Sequence, residues 1–157
     1  MFFPRLKHSP FPAMKTFSVL FVLCLAVAVR AQTQCEEHRE RELKNDVSIK
    51  LIPKCNEDGD YEEMQCFQGD NPYCMCWHTD GTAITTPSKN LKTCACHNHR
   101  YRELLSSNEG MVGNFVPTCN SNGTYAKKQC HGSTGYCWCA DEEGTRVSEE
   151  VRGELEC

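Results

Sequence analysis

The residues of this chain that are best suited to chemistry are its cysteines, which number 13 among 157 residues. Thiols can form disulfide crosslinks, bind a metal ion as thiolates, or act as nucleophiles. Two phrases concentrate them: PYCMCWHTDGT at residues 72–82 and GYCWCADEEGT at residues 135–145. Each phrase has an aromatic residue before Cys-x-Cys and ends on Gly-Thr, which predicts an internal repeat.

The spacing of twelve cysteines repeats along the chain. The gaps between them are 19, 10, 7, 1 and 17 residues in the first set and 22, 10, 6, 1 and 17 in the second. The motif HRERELK from His38 is likewise matched by HRYRELL from His99. These matches predict two tandem units, which we call unit one (residues 32–94) and unit two (residues 95–157).

The segment before the repeats has the layout of a secretory signal. A basic start after Met14 precedes an apolar run over residues 17–29, and small residues lead to Ala31 as a cleavage edge. The run is too short to span a bilayer comfortably, so a signal peptide at residues 1–31 is predicted rather than a membrane anchor. Translation that starts at Met14 is an alternative, and Cys24 would be removed with the signal.

Composition then narrows the class of protein. Removal of the signal would take away four basic residues and no acidic ones, so the net charge would change from −4 to −8. An acidic chain lacks the cationic face that nucleic acid and anionic membranes require, and neither is expected as a partner. An exported chain with an even number of cysteines predicts a secreted, extracellular scaffold stabilised by disulfides, and we expect a monomer.

Metal binding and catalysis are weaker interpretations of the same residues. Cys94, Cys96, His97 and His99 are close together, but zinc sites favour Cys-x2–4-Cys pairs, which this chain lacks. No nucleophile motif surrounds a serine, and no glycine-rich phosphate loop is present. We therefore expect no enzyme, no cofactor and no metal site.

Short elements must position these cysteines. The segments CEEHRERELK and CHNHRYRELLSS are helix-like, and Tyr101, Leu104 and Leu105 share a face at helical spacing. Asp58-Gly59 and Asn122-Gly123 are hairpin-turn pairs, and the Cys-x-Cys phrases alternate like strands. Sequence alone leaves fifteen pairings open for the six cysteines of each unit.

The motif Gln-Cys followed by Cys-Trp-Cys resembles the thyroglobulin type-1 domain. Gln129-Cys130 and CWCA at Cys137 match it, and so does Gln65-Cys66, but unit one has Met75 where the tryptophan belongs and Trp77 two positions later. The resemblance implies a small disulfide-rich α+β fold, with a short N-terminal helix, a small antiparallel sheet and three disulfides in each unit. It implies the pairs Cys35–Cys55, Cys66–Cys74, Cys76–Cys94, Cys96–Cys119, Cys130–Cys137 and Cys139–Cys157.

The resemblance also implies a function. Family members that inhibit papain-like cysteine proteases place three loops in the active-site cleft as a wedge, without a covalent step. In unit two these loops are expected around residues 106–115, 131–136 and 149–153. The residues predicted to bind the protease are Asn108, Glu109, Gly110, Met111, Val112, Gly113, His131, Gly132, Ser133, Thr134, Gly135, Val151, Arg152 and Gly153.

Other partners and roles stay open at this point. Papain- or cathepsin-class cysteine proteases are the predicted targets, with aspartic and metalloproteases as further candidates. The alternative is a non-inhibitory binding module or a venom toxin component that binds a growth factor, matrix or receptor, since two-unit proteins of this type resemble spider-venom components. Asn122-Gly123-Thr124 is a glycosylation acceptor pattern in a predicted exposed turn.

Overall fold

The computed structural model describes residues 31–108, 110 and 113–157, in which Gln32–Cys157 form one compact body. The predicted signal at residues 1–31 therefore lies, apart from Ala31, outside the described residues. Each unit begins with a helix: α1 spans Gln34–Lys44 and α2 spans Ala95–Asn108. Within the described ranges, no helix is long and apolar enough to cross a bilayer.

Helix α1 begins at a capping box. The Thr33 hydroxyl accepts a hydrogen bond from the Glu36 amide, while the Glu36 carboxylate accepts one from the Thr33 amide. These two bonds satisfy backbone donors that a helix start leaves unpaired. The Thr33 hydroxyl also donates to the carbonyl of Gly59 at 2.6 Å, which fixes the helix start against the first hairpin turn.

A small antiparallel sheet follows each helix. In unit one β1 (Met64–Cys66) pairs with β2 (Cys74–Cys76), and Gln65 lies opposite Met75. In unit two β3 (Lys128–Cys130) pairs with β4 (Tyr136–Cys139), and Gln129 lies opposite Trp138. A further strand, β5 (Val151–Arg152), adds to the free edge of β4 and gives unit two a three-stranded sheet.

Six disulfides hold these short elements together. In each unit they run in sequence, which is the pairing that the resemblance implies. The first bridge ties the helix to the loop before the sheet, the second joins the two central strands, and the third joins the Cys-x-Cys strand to the end of the unit. Cysteines make up most of the buried apolar residues, so crosslinks supply much of what a larger apolar core would provide.

A buried glutamine amide stabilises the centre of each unit. Gln129 is 1% exposed, and its Oε1 accepts from the Thr118 amide at 2.8 Å. Its Nε2 donates to the carbonyls of Thr118 and Ala126 at 2.8 and 2.7 Å. Gln65 makes the same three bonds in unit one, with Lys54 and Glu62 as partners. The Gln-Cys motif thus ties a strand to the loop before it, with every bond to the backbone.

The aromatic packing differs between the units, because the tryptophan stands at a different position of the Cys-x-Cys strand in each. In unit two Trp138 lies 4.8 Å from Phe115, between their ring centroids, and the next position on that face of the strand is Ala140. In unit one Met75 takes the place of the tryptophan, and Trp77 takes the place of the alanine. Trp77 packs 5.3 Å from Tyr61 and 6.2 Å from the ring of His38, so its indole covers the helix instead.

The helix histidine is held alike in both units. His38 Nδ1 lies 3.0 Å from the Tyr61 hydroxyl, and His99 Nδ1 lies 2.9 Å from that of Tyr125. Burial raises the pKa of the Tyr125 phenol above its ordinary value. Each tyrosine ring also covers a glycine with positive φ, Gly81 or Gly144, where a Cβ would come within 3 Å of the ring.

The two units meet through backbone hydrogen bonds. The carbonyl of Asn122 in the unit-two hairpin turn accepts from the amides of Lys92 and Thr93 at 2.8 and 3.3 Å. Gly123 has a φ of 88°, and a Cβ there would overlap the carbonyl oxygen of Thr93, so this turn requires glycine. The rings of His78 and Tyr101 add a contact at 5.3 Å. The turn at Asn122-Gly123, which the sequence predicts as part of a hairpin, therefore also joins the two units.

Candidate functional site

The first predicted loop of unit two is shorter than expected, because α2 continues through Asn108. Asn108 was predicted as a loop residue and is instead the last residue of the helix. Gly110, with a φ of 95°, donates from its amide to the carbonyl of Ser107 and closes the turn after the helix. The predicted contact residues Glu109, Met111 and Val112 lie outside the described residues.

The second loop is a tight ring closed by Cys130–Cys137. Two backbone hydrogen bonds join the start of this loop to its end. The His131 carbonyl accepts from the Gly135 amide at 2.8 Å, and the His131 amide donates to the Tyr136 carbonyl at 2.8 Å. Ser133 Oγ lies 3.0 Å from His131 Nδ1. Gly132, Ser133 and Thr134 are exposed at the tip, so they form a displayed turn whose ends are fixed.

The third segment is only partly a loop. Val151 and Arg152 were predicted in a loop, but they form β5, with Tyr136 opposite Arg152 and Cys137 opposite Val151. Gly153 follows the strand with a φ of 114°. The reason for the difference is the Cys139–Cys157 disulfide, which returns the chain end to the open edge of β4, where the backbone groups can pair.

Contacts bring these three segments together into what we call the unit-two edge: residues 113–115, 131–136 and 151–153. A Cβ built at Gly113 would lie 3.8 Å from Ser133 Oγ, and the Phe115 ring lies 6.3 Å from that of His131, so the first segment lies beside the second. Arg152 donates from Nε and Nη2 to the Thr134 carbonyl at 3.2 and 2.9 Å, which joins the third segment to the second. Segments from distant parts of the chain are thus neighbours, and of the predicted contact residues they contain Gly113, residues 131–135 and residues 151–153.

Phe115, at the end of the first predicted loop, packs against its own unit. Its ring lies against Trp138 and 6.3 Å from the ring of His131. Phe115 therefore connects the edge to the packed interior of unit two. The exposed apolar surface of the edge comes from Tyr136, which is 40% exposed, and Val151, which is 37% exposed.

The equivalent edge of unit one has another shape. Its segments correspond to residues 45–49, 67–73 and 86–90. The Gln68 amide donates to the Lys50 carbonyl at 2.9 Å, and Cys74 and Ser88 exchange two backbone bonds. Between these segments lies an open groove of about 520 Å³, lined by Ile49, Phe67, Gln68, Asn71, Pro72, Tyr73 and Pro87.

One pair of side chains occurs on both edges. Arg152 lies over the ring of Tyr136, with its guanidinium carbon 5.5 Å from the ring centroid, and Lys89 lies over Tyr73 with its amine at 4.9 Å. The bond from Arg152 to Thr134 was not predicted from the sequence. Alignment of the two units, which places a cation and a tyrosine at the same positions in both, is the signal that could have found this pair.

Titratable groups with shifted pKa values lie away from the unit-two edge. Burial and then the nearby Arg100 charge lower the pKa of His97. The Thr82 amide, which donates to the Asp80 carboxylate at 2.8 Å, lowers the pKa of that acid. Among the described residues, no group of three histidines, cysteines or acids is arranged to hold a metal ion.

Known proteins with similar sequences support this architecture. The chain is 40% identical over 148 residues to U20-hexatoxin-Hi1a from Hadronyche infensa, covering 92% of this chain and 100% of that protein. It is 38% identical over 120 residues to U24-ctenitoxin-Pn1a from Phoneutria nigriventer, covering 76% and 91% respectively. It is also 40% identical over 76 residues to equistatin from Actinia equina, covering 48% and 30%.

The family model of the thyroglobulin type-1 repeat matches residues 29–96 and again residues 94–157. These two matches together span both structural units, with their helices, small antiparallel sheets and disulfides. The chain therefore belongs to the thyroglobulin type-1 repeat family and carries two repeats in tandem.

Proposed function

We propose that the protein is a secreted, non-enzymatic inhibitor of papain-like cysteine proteases, and that the unit-two edge occludes the active-site cleft reversibly. The observation that carries this proposal is that three chain segments lie side by side in one edge, with Gly113 close to Ser133 and with Arg152 bonded to Thr134. Inhibitory members of the family use three loops in this way.

The physical properties of the edge suit a wedge. A loop that is already ordered loses less conformational entropy on binding, and the second loop is fixed by a disulfide and by two backbone bonds at its ends. A Cβ at Gly132 would meet no atom within 4 Å, so the backbone at the tip is open to close approach by a cleft. Tyr136 and Val151 add apolar area beside it.

The test is a protease panel with the oxidised chain from residue 32 onward. We expect it to inhibit papain and a cathepsin L-type enzyme, and to lose that activity on reduction. The panel also includes an aspartic protease and a metalloprotease, so that it identifies the class of protease whose cleft the edge fits. Absence of inhibition of every protease at micromolar concentration contradicts the proposed function.

A matched pair of variants locates the activity. Gly132→Trp adds bulk at the open tip of unit two, where a Cβ would meet no atom of the protein within 4 Å. Overpacking of a close interface costs about 1–3 kcal/mol, so inhibition should weaken by roughly fivefold to more than a hundredfold. Asn71→Trp, on the corresponding loop of unit one, is the control and should leave inhibition unchanged.

A toxin component is the second candidate. Two relatives whose names describe toxins match this chain over 100% and 91% of their own lengths, so the whole architecture is shared with them. The unit-one groove, with Ile49 75% and Tyr73 50% exposed, is a second surface that such a role could use. Recovery of a receptor or channel, and of no protease, in a pull-down from target tissue favours this candidate.

A further inference from the structure

We infer that Arg152 is the positioning residue that holds the second and third segments of the unit-two edge in one rigid shape. Lys89, at the corresponding position of unit one, does not hold the unit-one segments in this way. The inhibition arm of the test of this inference rests on the proposed function. Arg152 lies on β5, and its Nε and Nη2 both donate to the carbonyl of Thr134 at the loop tip.

The geometry explains why arginine is needed at this position. A guanidinium is planar and presents its Nε and Nη2 hydrogens on one edge, so a single carbonyl oxygen that lies between them can accept from both. The same group lies over the Tyr136 ring, which restricts its position from a second side. A Cβ at Gly135 would lie 3.9 Å from Arg152 Nε, so the arginine covers the backbone of the loop where φ is 73°.

Unit one provides a natural comparison. Lys89 corresponds to Arg152 and Tyr73 to Tyr136, and the cation lies over the ring in both units. The second loop of unit one is one residue longer, with Cys66 and Cys74 separated by 8 positions where Cys130 and Cys137 are separated by 7. A lysine amine is a single point charge, so it cannot make the paired bonds that arginine makes to one carbonyl.

The consequence for function concerns resistance to cleavage. A protease cuts a loop that can adopt an extended conformation in its cleft, and a loop whose tip carbonyl is bonded to a neighbouring strand is restrained from doing so. Arg152 therefore favours inhibition over cleavage, because it holds the backbone of Thr134 in the bent shape of the tight ring. Its role is positional and involves no reaction with the protease.

The experiment uses the intact oxidised chain with Arg152→Ala, Arg152→Lys and the control Lys89→Ala. Amide exchange of Gly135, followed by NMR, measures loop opening without a protease. We expect it to rise about tenfold in Arg152→Ala and by a similar factor in Arg152→Lys, as for a lost charged hydrogen bond at an exposed site. Lys89→Ala should leave it unchanged, and equal urea midpoints show that all variants are folded.

A second arm measures inhibition and nicking by the inhibited protease. Both Arg152 variants should bind about tenfold more weakly and should be cut within residues 131–136 during incubation. Unchanged exchange in both variants overturns the inference, and so does full rescue by lysine, which would assign the effect to charge rather than to geometry. If the unaltered chain inhibits no protease, the proposed function fails, while the exchange arm still decides the role of Arg152.

Discussion

Replacement of the buried amide in unit two, Gln129→Glu, should make the stability of the protein depend on pH. The change keeps the size of the side chain and the acceptor for the Thr118 amide. It removes the NH2 group that donates to the carbonyls of Thr118 and Ala126. A carboxylate at that point would face two carbonyl oxygens at 2.8 and 2.7 Å, in a site that is 1% exposed.

The expected loss of stability follows from counting the hydrogen bonds that the introduced carboxyl can still make. A protonated carboxyl can donate to one of the two carbonyls, which leaves the other unpaired at a cost of about 1–3 kcal/mol. To remain protonated at pH 7 the group must resist ionisation from an ordinary pKa of about 4.3, which adds about 4 kcal/mol at 1.36 kcal/mol per pH unit. The free energy of unfolding should therefore be lower by about 2 kcal/mol at pH 4 and by about 6 kcal/mol at pH 7.

The sign of the pH effect is fixed by linkage. The introduced carboxyl has a raised pKa in the folded state, so the folded chain binds its proton more tightly than the unfolded chain. Stability is then greatest below the unfolded pKa and decreases as the pH rises towards the folded pKa. The control Gln129→Met loses all three hydrogen bonds without adding a titratable group, so its loss of stability should not change with pH.

The assay is urea unfolding of the oxidised chain at pH 4 and pH 7. Tryptophan fluorescence is a suitable probe because Trp138 lies opposite Gln129 in the β3–β4 pair. Gln65→Glu, in the equivalent site of unit one, should show the same pH dependence. Equal losses at the two pH values, or no loss for the glutamate variant, would refute the hydrogen-bond reasoning.

Two further predictions concern packing and modification. Met75→Trp should destabilise unit one by about 1–3 kcal/mol, because two indoles would compete for one face. Leu51 stands two residues before Pro53 as Phe115 stands two residues before Pro117, so adding Trp77→Ala and Leu51→Phe recreates the unit-two set and should recover much of the loss. Additive effects in urea unfolding would contradict this. The turn at Asn122 is less exposed than predicted, because it packs against the end of unit one: Asn122 is half-buried and Thr124 is 6% exposed. The Asn122 side-chain oxygen accepts from the Thr124 amide and hydroxyl at 3.1 and 2.8 Å. From a eukaryotic secretory host, the chain should carry a glycan that peptide N-glycosidase removes and that Asn122→Gln lacks; identical masses would show that the site is unused.

The division into two units and the positions of their helices and turns could be predicted largely from the sequence. The repeated cysteine gaps define two units, and the hairpin pairs and helix-like segments lie where the structure has turns and helices. The pairing itself could not be derived, because fifteen arrangements are possible for six cysteines and only the resemblance selected one. Spacing shows that a repeat exists, whereas pairing depends on which loops come close in space.

Residues with polar side chains were the hardest to interpret. Gln129 lies between Lys128 and Cys130 in a polar segment that is typical of exposed surface. Hydrophobic periodicity gives no reason to expect Gln129 to be buried. It is buried because its amide matches one N–H and two carbonyls of a neighbouring loop, a set of partners that exists only after folding. A motif can therefore be recognised in a sequence without its physical role being visible there.

The unit-two edge combines both kinds of information. Its position follows from the disulfides, since Cys130–Cys137 tightens one loop and Cys139–Cys157 brings the chain end beside it. Its rigidity depends on Arg152 and Thr134, which are 18 residues apart and have no local pattern that links them. The same framework in unit one carries a lysine and a longer loop, and there the surface is an open groove. Because the crosslinks are shared, we expect a difference in activity between the units to come from these side chains and from the lengths of the loops, and exchanging both is the direct way to transfer it.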